Sequence, residues 1–249
     1  MVLMLTSCFD NTGYSYSTTF SRVVTIDTTG AAYSTPTVSL KADCTGEVFN
    51  KISNLTYPEQ LGQFKLANAR RAEVYIKVDV DNSYNQTVTL IDAREIAINP
   101  VTNKELTDSV TPILAWQQKP LGGNYAPTVW VSEGYLNVVP VIESSQAGKY
   151  YLTADGVAGD TLFLNLSATY NKEEKKELID ELQCFDLRTL ADSTNADAEM
   201  RAKMNSAWEA IQQHDSLRIV LSSDFHIKYY EKDTIMNLKA LTNYFRCNF

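Results

Sequence analysis

Histidine is nearly missing from this chain, with two residues in 249, His214 and His226. Imidazole is the side chain that titrates unaided near neutral pH, so candidates for proton-transfer catalysis are few. Cysteine is scarce as well: positions 8, 44, 184 and 247 fall in no CxxC or Cys/His spacing, which argues against a zinc site or any other metal centre. No block of Lys or Arg stands out, and 22 basic against 30 acidic residues leave a net charge of −8. Nucleic acid is therefore not an expected partner, because phosphate binding depends on clustered cations that displace counterions. Electrostatic docking on anionic lipid is disfavoured for the same reason. No apolar run approaches the roughly 20 residues of a transmembrane helix. GxGxxG, GxxxxGKS/T, HExxH and GxSxG patterns are all absent, so no nucleotide, cofactor, zinc-protease or serine-hydrolase chemistry is expected and no catalytic residue is assigned.

With 44% apolar residues the chain has enough material for one large or two ordinary cores. Its first eight residues end in Leu5-Thr6-Ser7-Cys8, which resembles a lipobox: an apolar residue and two small ones before a Cys whose thiolate accepts a lipid group. Residues 1–8 read as part of a lipoprotein signal peptide and Cys8 as the lipidation site. A full signal peptide carries a basic stretch and a longer apolar core, so an upstream start is expected. Residues 9–19 read as a polar tether. The expected location is outside the cytoplasm, lipid-anchored to the outer membrane, on its periplasmic or its cell-surface side.

The body reads as mainly β. Between 20 and 100, Phe20–Ile26, Ser34–Leu40, Ala72–Val80 and Thr87–Ile91 are rich in β-branched residues, and Ala93–Ile98 continues the pattern. In Ala72–Val80, Val74, Ile76, Val78 and Val80 alternate with mostly polar neighbours, the mark of a half-buried strand. Pro58 opens a short helical turn. This order predicts an OB-like β-barrel over 20–100. Residues 101–127 hold Pro112, Pro120, Pro127 and the Gly122-Gly123 pair and read as a linker. Over 128–249 repeated short strands predict a β-sandwich. A single amphipathic helix interrupts it near 195–213, where Met200, Met204, Ala207, Trp208 and Ile211 share one stripe and are expected to pack on their own core.

Few residues invite a chemical reading. Ser222, Ser223, Asp224 and His226 crowd together, but triad members come from separate segments, so this is expected to be a surface group. Asp79, Asp81, Ser83 and Asn85 alternate like half a calcium loop, yet Tyr84 stands where the sharp turn needs Gly and Leu90 where the bidentate Glu belongs; a polar hairpin turn is expected. Cys184 and Cys247 are a candidate disulfide in an oxidising compartment, with buried thiols as the alternative. An Asp-Ser/Thr pattern at Asp27, Asp108, Asp160, Asp192, Asp215 and Asp233 resembles the O-glycosylation signal of exported Bacteroidota proteins, although such pairs also start turns.

The lipobox, Gly13-Tyr14 with a first strand, Val88–Ile98, Val129–Val138 and Asp160–Leu166 come in an order that resembles the NigD-like lipoproteins of Bacteroidota over nearly the whole chain. That resemblance implies an N-terminal OB-like domain, a C-terminal β-sandwich, and a cell-envelope lipoprotein of undetermined activity. The helix near 195–213 and the tail after Tyr230 depart from it. Three readings of function are open. One is a binding or assembly module that meets an envelope protein, peptide or glycan through exposed aromatics, Tyr75, Tyr84 or Trp116. Another is a carboxylate-based glycan-acting enzyme with acids near Trp130 and Tyr135, and the third, from the locus that names the family, is a bacteriocin-associated immunity protein.

Overall fold

The computed structural model describes residues 15–29, 37–50, 52–55, 58–66, 68–81, 83, 85–103, 110–121, 124–125, 127–144, 148–169, 177–229 and 232–247. Cys8 and Tyr84 lie outside them. The chain divides into two units at the Glu95–Ile96 bond.

The N-terminal unit holds β1 (Tyr16–Thr29), β2 (Thr37–Ala42), β3 (Val48–Asn50), α1 (Pro58–Gln63), β4 (Arg71–Val80) and β5 (Gln86–Glu95). They form one antiparallel sheet in the order β3-β2-β1-β4-β5. Alternation does the sorting: Val74, Ile76, Val78 and Val80 of β4 are buried with Val24, Leu40, Val88 and Leu90, while Tyr75 points away and is exposed. The expected barrel is not fully closed. Its two edges meet through one parallel bridge, Ile52 to Val88, where the Ser53 N–H donates to the Val88 carbonyl at 2.8 Å. Asn54 clasps the same edge, donating to the Leu90 carbonyl at 2.6 Å and accepting from the Leu90 N–H at 3.1 Å. Side-chain bonds thus replace a ladder, because β3 is only three residues long.

The C-terminal unit begins earlier than expected, at Ile96. Residues 101–127, read as a linker, supply β7 (Val110–Thr111), β8 (Ile113–Gln117) and the hairpin of β9 (Pro120–Leu121) and β10 (Asn124–Tyr125), and β6 (Ile98–Pro100) just before them also belongs here. Prolines cut these strands short, since Pro cannot donate to a ladder, and that hides their period of two. The remaining elements are β11 (Val129–Ser132), β12 (Tyr135–Ser144), β13 (Lys149–Ala158), β14 (Thr161–Thr169), β15 (Glu177–Asp180), β16 (Gln183–Asp186), a 3-10 turn (Leu187–Ala191), α2 (Ala198–Gln213), β17 (Ser216–Tyr229), β18 (Lys232–Leu241) and β19 (Phe245–Arg246).

They build two sheets. One runs β11-β12-β16-β6 with β8 and β15 on the far part of β12; the other runs β13-β14-β17-β18 with β7 on β14 and β19 on β17. Glu133 and Gly134, at φ 50° and 78°, join β11 to β12 in a two-residue turn whose twist suits a hairpin. β14 and β17 are parallel, and a parallel pair needs a long crossover; α2 provides it. The predicted stripe is confirmed: Met200, Met204, Ala207 and Ile211 are buried in one cluster with Leu136, Leu164, Phe185 and Ile219, and Trp208 packs against it. The tail after Tyr230 is integral to this unit, since β18 and β19 both pair with β17.

Asp197 caps α2, its Oδ1 accepting from the Met200 N–H at 2.8 Å. Asp197→Ala is expected to lower the stability of this unit by about 1 kcal/mol. Urea unfolding followed by tryptophan fluorescence measures it directly, because Trp116, Trp130 and Trp208 all lie in the C-terminal unit.

Candidate functional site

The outer face of β1, β4 and β5 is the best-defined polar surface, and strand register composes it row by row. Ser17 of β1 stands opposite Asp79 of β4, which stands opposite Thr87 of β5. The next row is Thr19, Lys77 and Thr89, and the third is Ser21, Tyr75 and Asp92. A bulge between Tyr75 and Ile76 leaves Ile91 as the extra residue beside Tyr75, and both side chains are exposed. Further along, Val23 and Arg71 of the same two strands are fully buried, so the open surface ends there.

At the Ser17 end the surface dips into a groove of about 380 Å³ lined by Ser15, Tyr16, Ser17, Asp79, Val80, Asp81 and Thr87. Tyr16 is 57% exposed, and its pairing with buried Val80 sets its side chain on the face opposite to that of Ser17 and Asp79. Both carboxyls in the groove are held below the usual range. For Asp79 the first cause is the hydrogen bond from Lys77, at 2.9 Å, followed by one from Ser17. For Asp81 it is the Asn85 side chain at 3.0 Å, with the backbone N–H groups of Asn85 and Ser83 at 2.9 and 2.8 Å. Asp81 thus organises the β4–β5 turn, the polar hairpin expected from the sequence. Two ionised carboxylates fixed by neighbours are hydrogen-bond acceptors; a general acid for glycoside cleavage needs a raised pKa instead.

The candidate aromatics separate. Tyr75 lies on the open face. Trp116 of β8 is half-buried against the C-terminal core, its Nε1 enclosed with no hydrogen-bond partner, so it offers no free platform. Tyr84 falls outside the described residues. Tyr16 was not singled out by sequence, because a lone Tyr opening a strand carries no pattern. Trp130 and Tyr135, the suggested centre of a carboxylate cleft, are buried, and the Tyr135 ring is covered by the Arg188 guanidinium at 4.4 Å, itself fixed by Asp186.

No disulfide joins Cys184 and Cys247. Cys184 belongs to β16 in one sheet and Cys247 follows β19 in the other, and both are free thiols, the alternative the sequence left open. Burial raises the Cys247 thiol and pushes that of Cys44 up to about 11, where the charge of Asp43 adds to the effect. The Ser222 hydroxyl donates to the Leu164 carbonyl, and the side chains of Asp224 and His226 lie outside the described residues. Thr161, one of the Asp-Ser/Thr acceptors, is buried, donating to Asp160 and accepting from Arg218, and so is closed to modification; Thr28 and Ser216 are exposed. Among the described residues no group of three or more His, Cys, Asp or Glu is placed to hold a metal ion, and no helix is long and apolar enough to cross a membrane.

Taken with its sheets, this surface defines a mainly β protein of two units, an OB-like open barrel and a β-sandwich carrying one amphipathic helix. No family model matches the chain, and no curated protein matches it. Among solved structures it is similar to an uncharacterized protein from Parabacteroides merdae, with a TM-score of 0.50 and 11% identity over 92% of this chain and 99% of that one, which shows a shared fold. Its structural neighbours also include a NigD-like immunity protein from Bacteroides caccae, at a TM-score of 0.46 and 13% identity over 90% of this chain and 97% of that one.

Proposed function

We propose that this protein is a cell-envelope binding module, held at the outer membrane by lipid on Cys8 and engaging its ligand through the outer face of β1, β4 and β5. One observation carries the binding role: three cross-strand rows of polar side chains around exposed Tyr75 run into a groove of about 380 Å³ beside Ser17 and Asp79, on a face whose opposite side packs the core. A sheet face of an OB-like barrel is a common place for extended ligands to lie. The enzyme reading draws less support, since the groove carboxyls are shifted in the direction opposite to that of a glycosidic acid.

Anchoring is supported by Leu5-Thr6-Ser7-Cys8. Expression in a Bacteroidota host with a radiolabelled fatty acid is expected to label the protein and bring it down with membranes. Cys8→Ala should abolish the label and release the protein; an unlabelled thiol at Cys8 in a soluble pool would overturn the anchor. Binding is tested apart from anchoring by amide hydrogen exchange on the full chain with and without detergent-solubilised envelope extract. Protection confined to β1, β4 and β5 is expected, and unchanged exchange across these strands would remove the proposed face.

A further inference from the structure

We infer that the ligand of the β1–β4–β5 face is a neutral oligosaccharide, an assignment that rests on the binding role proposed above. The charges of the face sort the ligand classes first. Along β4 the row centres are Asp79, Lys77 and Tyr75, and the two charged groups meet at 2.9 Å. Asp81 spends its carboxylate on Asn85 and Ser83. A polyanion finds no set of cations here, and a polycation meets carboxylates that already have internal partners. The apolar content is equally wrong for a hydrophobic partner, since Tyr75 and Ile91 are the exposed large hydrophobics in the rows.

What remains is a surface of hydroxyls with one aromatic ring, Tyr75, at its third row. Ser17, Thr19 and Ser21 line β1 at every second position, and Thr87 and Thr89 face them from β5. A hydroxyl both donates and accepts, as does each hydroxyl of a sugar, so the two surfaces can satisfy one another without charge. Carboxylates fixed by neighbouring donors add acceptors that need no reordering on binding. Tyr75 closes the third row and offers a ring face to the C–H side of a sugar. From Tyr75 to Asp79 is four strand residues, about 13 Å at about 3.3 Å each, so the track is longer than a single pyranose ring.

The test uses the full chain, uniformly labelled with nitrogen-15, titrated with maltohexaose, cellohexaose, laminarihexaose and chitohexaose, and separately with heparin and poly-L-lysine. At least one neutral oligosaccharide is expected to shift the amides of Ser17, Thr19, Tyr75, Asp79 and Thr87. Tyr75→Ala should weaken it about tenfold, as truncating an aromatic anchor commonly does. Tyr75→Trp should retain binding, and an unchanged spectrum of distant amides will report an intact fold. Heparin or poly-L-lysine bound on this face, with no neutral oligosaccharide bound, would overturn the inference while keeping the binding role. No shift on the face from any of the six probes would overturn the inference, and if the envelope extract also leaves exchange unchanged, the binding role falls with it.

Discussion

Asp43→Ala is expected to destabilise the N-terminal unit by about 3–5 kcal/mol, because it strands a buried guanidinium. Asp43 and Arg71 are both fully buried and pair in a fork, Nη1 to Oδ1 at 2.7 Å and Nη2 to Oδ2 at 2.5 Å. Nη1 also donates to the Thr25 hydroxyl at 2.7 Å, and the Asp43 N–H donates to the Val23 carbonyl. The pair thereby ties the turn after β2 to β1 and to the start of β4. Removing the carboxylate leaves a guanidinium that water cannot reach, so the loss exceeds the worth of the pair itself. A double change, Asp43→Leu with Arg71→Met, removes both charges and is expected to recover most of the stability. Hydrogen exchange of β1 and β4 amides measures this. Unchanged protection in Asp43→Ala would show that the ion pair is not holding these strands.

Phe185→Ala is expected to cost the C-terminal unit about 3–5 kcal/mol, the range for emptying an aromatic site in a packed core. Phe185 of β16 is wholly buried, directly opposite Leu136 of β12, in the cluster that includes Leu187 and Met204. It therefore sits where a sheet, the 3-10 turn and α2 share one interior. Phe185→Leu, which keeps most of the volume, should lose less, and the difference isolates the cavity from the loss of apolar area. Tryptophan fluorescence in urea follows both, and equal midpoints for Phe185→Ala and the parent chain would contradict a close-packed site.

Much of the architecture was legible before any coordinates. The period of two in Ala72–Val80 and Thr161–Leu166 announces half-buried strands, and the Met200 to Ile211 stripe announces a helix, because each pattern is set within a few residues. Other elements were not. The strand Val48–Asn50 is too short to show a period, and the proline-rich stretch after Val101 conceals β7 and β8, which gain their identity only from pairing with β14 and β12. For Cys184 and Cys247 the residues alone left a disulfide and free thiols open, and the structure holds them as free thiols.

The candidate site divides in the same way. Tyr75 was readable as the outward residue of an alternating strand, whereas the alignment of Ser17, Asp79 and Thr87 depends on the register of three strands with up to about 70 residues between them along the chain. By itself the sequence determined which segments extend, which one coils, which faces are apolar and that the chain carries two histidines and no long block of Lys or Arg. Tertiary structure alone decided which edges meet, where the division between units falls and which hydroxyls share a row. The reason is physical: alternation and capping are local energies, while register and closure are settled by contacts between residues far apart in the chain.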